Sequence, residues 1–252
     1  MPASPFRPSR RQHVDTHDPE PRRAAWSALV AGPAVYLTAE FVAAAAWTDP
    51  PYSYTHHFIS ALGVRGPATA FGQFMLSPLA PVMNAGLVLF GVVVLVGVLA
   101  LRLPAARRLP VVAAAVVLAV GSAVVALFPG DGDALDSGAA DHHALGAFGA
   151  FTAGNALVLL LGAAHRPLGI SRGRGRALVA LGVLGLAGMV GYVALLAAET
   201  GVLVGLVERT AIYPFLAGLL LLGLALRRAA RRRENGLVNG NGLVATGSTT
   251  TR

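Results

Sequence analysis

The chain has 252 residues, of which 55% are hydrophobic and 13% charged, and its formal net charge of +8 comes from arginine with no lysine at all. Soluble domains carry about 25% charged residues, so the composition is that of a membrane protein, and the mean hydropathy is positive. Cysteine is absent, which excludes disulfides, thiolate metal sites and cysteine nucleophiles.

Residues 1–23, MPASPFRPSRRQHVDTHDPEPRR, are rich in Pro and Arg and contain no apolar run. They predict a disordered basic tail. They are not expected to be a signal peptide, because the first apolar run ends without a small-residue cleavage site and further hydrophobic segments follow.

A helix that crosses the hydrocarbon core needs about 20 mostly apolar residues. Six segments meet that length: 24–47, 78–101, 109–128, 142–164, 176–198 and 208–226. Each is apolar on nearly every face, as a helix in lipid requires. The expected fold class is all-α: a polytopic membrane protein whose domain over 24–226 is a six-transmembrane-helix bundle. Residues 227–252, an Arg cluster followed by a Gly/Asn/Thr-rich stretch, predict a second disordered basic tail.

Arginine gives the orientation. The N-terminal tail, the loops after the second and fourth spans, and the segment after the sixth hold nearly all of it, whereas the other three loops hold only Arg65 and Arg209. The positive-inside rule then puts both termini in the cytoplasm. It also leaves no patch for nucleic acid, since these arginines read as topology signals and contacts to anionic membrane lipids. The opposite side carries Asp49, Asp131, Asp133, Asp136, Asp141, Glu199 and Glu208, with His56, His57, His142 and His143.

Within the first span, Glu40 lies near two turns from the outer end. A carboxylate at that depth is costly and is by default a functional-site hypothesis; it is expected either to be protonated or to pair with Arg209 or a histidine. The loop that follows contains YTHHFISALGVRG, a short interfacial helix in which His56 or His57 and Ser60 share a face. The second span opens SPLAPVMNAG, placing Asn84 inside the membrane, where an amide needs a hydrogen bond. FPGDGDALDSGAADHH lacks the D-x-[DN]-x-[DN]-G calcium pattern and reads as a solvated acidic loop. Asp141 suits the N-cap of the fourth span. Beyond it, Gly146, Ala150 and Gly154 form a small-residue stripe for close helix packing, and His142 begins that face, so His142 rather than His143 is expected to point inward. In the sixth span, GLVERTAIYPFLAG, Arg209 and Tyr213 are one turn apart and Pro214 weakens the helix locally.

HFISALG, SPLAPVMNAGLVLFG, an acidic loop followed by His, and GLVERTAIYPFLAGLLLLG together resemble the bacterial integral-membrane family of domain-of-unknown-function 998, over about 24–226. The resemblance implies a six-helix, multi-pass protein of the bacterial plasma (inner) membrane and no assigned reaction.

Four functions fit to different degrees. The leading one is a non-enzymatic membrane component that binds a small ligand from the outer face or a membrane-protein partner, through Glu40, Ser60, Asn84, Arg209 and Tyr213. A metal-dependent intramembrane hydrolase of a lipid-type substrate would use His57, Asp141 and His142 to hold a divalent metal, with Glu40 or Glu208 as catalytic general base; no HExxH or GxSxG supports it. A proton-coupled transporter would line its path with Glu40, Asn84 and Arg209. Haem ligation by His57 and His142 is disfavoured, because both lie on one face.

Overall fold

The computed structural model describes residues 20–70, 72–130, 139–198, 201 and 203–245. Among these, seven α-helices follow one another: α1 (Glu20–Ala46), α2 (Ala80–Leu99), α3 (Ala105–Leu127), α4 (Ala139–Ala163), α5 (His165–Leu168), α6 (Arg172–Ala197) and α7 (Val204–Ala245). All but α5 are long and apolar enough to cross a membrane. Each of these six coincides with a segment expected from apolar length, within four residues at every end but the C-terminal end of α7.

The six long helices form a ring in chain order. Each packs on the next, α4 on α6 across the short α5, and α7 closes back onto α1, while α4 also touches α7 across the middle. Glycine makes the crossings close. A Cβ on Gly91 of α2 would lie 2.9 Å from the Ala119 Cα of α3, and one on Gly121 of α3 only 2.6 Å from the Gly146 carbonyl of α4. Without an apolar driving force between helices in lipid, such contacts supply the packing. Burial is uneven: 61% of the most apolar stretch of α7 is buried, against 22% of that of α6. The outward surfaces of α6 and α3 carry exposed Val183, Leu184 and Val190, and Val120, respectively, the side chains that a lipid-facing surface needs.

The bundle has a basic end and a loop end. At the basic end, Arg107 donates to the Ala163 carbonyl at 3.0 Å, and Arg227 lies 5.2 Å above the Trp26 ring. At the loop end, residues 47–79 join α1 to α2. They include a 3-10 turn (Ser60–Gly63) and an antiparallel hairpin, β1 (Ala68–Ala70) with β2 (Gln73–Met75). This hairpin is an addition to the expected all-α fold. Its backbone groups must find partners, and Gly72 in its connection takes φ +70°, which costs glycine nothing.

Helix α7 continues past Leu226 through the Arg cluster to Ala245, over residues for which the sequence predicted a disordered basic tail. Arg, Ala and Glu at 227–234 are good helix formers, and extending an existing helix avoids the cost of a new nucleus. Of the expected N-terminal tail over 1–23, residues 20–23 belong to the start of α1, and residues 1–19 lie outside the described residues. So do Asp131, Asp133, Asp136, Glu199, residues 246–252 and the side chain of Asp141.

Candidate functional site

The 47–79 loop folds back over the end of the bundle on an aromatic stack. His57 lies 5.3 Å from the Trp47 ring and 5.4 Å from the Tyr52 ring, nearly parallel to both. The Tyr52 hydroxyl donates to the Phe58 carbonyl at 3.0 Å, and the Ser53 N–H donates to His57 Nδ1 at 2.8 Å. His57 Nδ1 therefore carries no proton, and burial followed by the neighbouring His56 holds the ring below the usual histidine range. Burial pushes the Tyr52 hydroxyl well above the usual phenol value, so it remains a donor. Asn84 ties the loop to the start of α2, donating to the Gly63 carbonyl at 3.0 Å.

Arg209 fastens this loop to two helices. Its Nη2 donates to Glu40 Oε1 at 2.8 Å and to the Tyr52 hydroxyl at 2.8 Å. Its Nη1 donates to the Tyr54 carbonyl at 2.7 Å and to the Gly205 carbonyl at 3.0 Å. Its Nε is shared between Glu40 Oε1 at 3.2 Å and the Tyr213 hydroxyl at 3.3 Å. All five donors of the guanidinium are thus used inside the protein. Tyr213 completes the cluster by donating to Glu40 Oε1 at 2.9 Å. The Tyr54 ring lies 4.9 Å from the guanidinium carbon, a cation–π contact. Glu40 is 0% and Arg209 5% exposed, so each supplies the partner without which burial of the other would be prohibitive. Of the partners weighed for Glu40 in the sequence, Arg209 is the one found.

Glu208, the residue before, faces elsewhere. Its Oε2 accepts the Ile59 N–H, and the Ser60 N–H also faces the carboxylate. The carboxylate therefore sits on the first amides of the 3-10 turn, where free N–H groups await an anion. The same side chain lines an internal cavity of about 200 Å³ at the loop end of the ring. Phe58 and Ile59 of the loop, Leu87 and Phe90 of α2, and Phe151 of α4 supply apolar wall. Ser60, Ser122, His143 and Tyr192 join Glu208 as its polar points.

The remaining sequence candidates divide. Ser60 stands at the cavity beside Glu208. His142 is exposed and stacks on Phe128 with 5.1 Å between ring centroids. His143 is the inward one: Nδ1 is 2.7 Å from the Phe128 carbonyl and the ring lines the cavity. The expectation for this pair is thus reversed. Gly146 and Gly154 of the small-residue stripe pack on other helices, on Val124 of α3 and Phe215 of α7, whereas its middle member Ala150 lines the cavity with His143 and Ala147. His57 and His142 belong to different clusters, the loop stack and the Phe128 edge. Among the described residues no group of three His, Asp or Glu gathers to hold a metal.

Sequence reasoning passed over Asn155. It is fully buried in α4 and donates to the Phe151 carbonyl at 2.9 Å and, across the ring, to the Ala211 carbonyl of α7 at 2.8 Å. The signal was present, since an amide in mid-span demands a partner for the same reason as Asn84. Tyr52 and Tyr54 are of the residue type that suits the headgroup level of a membrane, and nothing in their spacing points to Arg209.

Comparison with curated proteins and with solved structures gives no match. The family model described as protein of unknown function (DUF998) matches residues 29–225. That stretch runs from the first candidate span into the last and includes the 47–79 loop, Glu208 and Arg209 of α7 and every wall of the cavity, and the chain belongs to the DUF998 family.

Proposed function

We propose that this multi-pass membrane protein is a ligand-binding component whose loop-end cavity takes a small amphiphile. The observation that carries this reading is the combination of an apolar cavity and one carboxylate held in place by backbone amides. A cavity of about 150 Å³ lined by Leu, Ile and Phe already accommodates benzene, and this one measures about 200 Å³. An apolar body would fill the space between α2 and α4, and a hydrogen-bond-donating head would pair with Glu208, with Ser60 and Tyr192 setting its orientation. The arginines of the basic end support a cytoplasmic position for both termini, so the cavity opens toward the outer face.

The test is mass spectrometry of an organic extract of the purified full chain beside its Ala147→Phe variant. Ala147 lines the cavity, and phenylalanine there occupies the space. The expected result is an amphiphile near one per chain in the parent and its loss in the variant, with the thermal midpoint retained. Identical extracts from a folded variant would overturn the reading.

A further inference from the structure

At the basic end a different feature stands apart from the cavity. Helices α4 and α6 cross at Gly162 and Gly175, where a Cβ on either would lie within 2.9 Å of the other's carbonyl oxygen. This close crossing leaves an open groove of about 720 Å³ beside it. Toward the membrane the groove is apolar, lined by Val179, Val183 and Leu184 of α6. Toward the basic end it is lined by His165, Arg172 and Arg176.

Arg172 and Arg176 are one turn apart on α6, so they present the same face, and both are exposed. Among the described residues no carboxylate lines the groove. His165 Nδ1 is 3.2 Å from the Gly162 carbonyl; a carbonyl only accepts, so Nδ1 carries the proton and Nε2 is left for another partner. Two guanidinium forks side by side match the oxygens of a phosphate. An apolar trough directly below them matches an acyl chain. Polar and apolar parts stand in the order of a phospholipid, and the charge complements an anionic one.

We propose that this groove binds one anionic phospholipid, its phosphate held by Arg172 and Arg176 and one acyl chain lying along Val179, Val183 and Leu184. The chemistry of the head is shared with free phosphate, whereas the trough is not. Basic side chains near a membrane surface add about fivefold each in affinity for anionic lipid, so the pair is worth about thirtyfold.

The experiment is native mass spectrometry of the full chain in detergent, titrated with phosphatidylglycerol or with phosphatidylcholine of the same chains. The expected result is preferential retention of phosphatidylglycerol and a loss of about thirtyfold in Arg172→Gln/Arg176→Gln. Phosphatidylcholine binding should stay unchanged, and millimolar inorganic phosphate should displace no lipid. Val183→Trp, which blocks the trough and keeps both arginines, should also abolish retention. Arg231→Gln/Arg232→Gln, which removes the same charge away from this groove, should not. Equal binding of the two lipids, an equal loss in the control variant, or displacement by inorganic phosphate would each overturn the assignment.

Discussion

Arg209 and Glu208 are consecutive residues near the start of α7, both buried, and their surroundings differ. Arg209 spends every donor on groups of the protein: a carboxylate from α1, a tyrosine and a carbonyl from the 47–79 loop, and a carbonyl and a tyrosine from its own helix. Glu208 is held on one side by loop amides and meets an apolar cavity on the other. A cation with no donor left can fasten but cannot recognise. A carboxylate that is positioned yet still borders open space can recognise. Burial of charge alone therefore does not mark a binding residue in this protein; the deciding property is whether the partners are already all present.

Substitutions can break or sharpen that contrast. The largest effect is expected for Arg209→Leu, which leaves Glu40 buried without its ion pair and should cost about 3–5 kcal/mol, read as a fall in the unfolding midpoint in detergent. Adding Glu40→Gln should restore part of the loss, since the two residues form one network. If Arg209→Leu were as stable as the parent, the fastening role would be lost. Gly205→Ala comes next. Its Cβ would run into the His57 carbonyl and lie 2.9 Å from the Tyr54 carbonyl, so overpacking of about 1–3 kcal/mol is expected in the same assay.

Glu208→Gln should do less to stability, at about 1 kcal/mol, because the amide oxygen still accepts the loop N–H. Its main effect should be on what the cavity retains, and an unchanged extract would argue that the carboxylate is as structural as Arg209. The smallest effect belongs to His57. Its ring is held below the usual value by burial, so between that lowered value and about 6.5 the unfolded chain binds more protons than the folded one. Stability is then fully present above about pH 6.5 and declines as pH falls through the window below it. Unfolding midpoints from pH 8 to pH 5 should show the decline, and His57→Phe, which keeps the stack, should flatten it.

The spans and their basic ends were legible because membrane crossing imposes length and polarity that no tertiary contact overrides. The Glu40–Arg209 pair was legible in part: two isolated charges at similar depth in the first and last spans have few alternatives. The inward histidine was not, because a stripe of small residues says that something approaches closely and not what. Gly146 and Gly154 meet α3 and α7 respectively, and only Ala150 of the stripe borders the open space, beside His143 and Ala147. The hairpin at 68–75 was hidden by its brevity, since three residues per strand show no period. The role of Tyr52 and Tyr54 depends on how the loop folds back onto Arg209, a contact across 157 residues in the case of Tyr52, which local spacing does not encode.

The ion pair joins the first membrane helix to the last, and 169 residues separate Glu40 from Arg209. A ribosome adds about 5–20 residues per second, so the carboxylate of Glu40 is made roughly ten to thirty seconds before the guanidinium that neutralises it. During that interval the first span has an acid in its loop-end third, and the guanidinium that pairs with it in the folded protein is not yet made. Membrane insertion of this protein is therefore a timed process. The ring closes and the pair is completed only when the last span arrives and packs on the first.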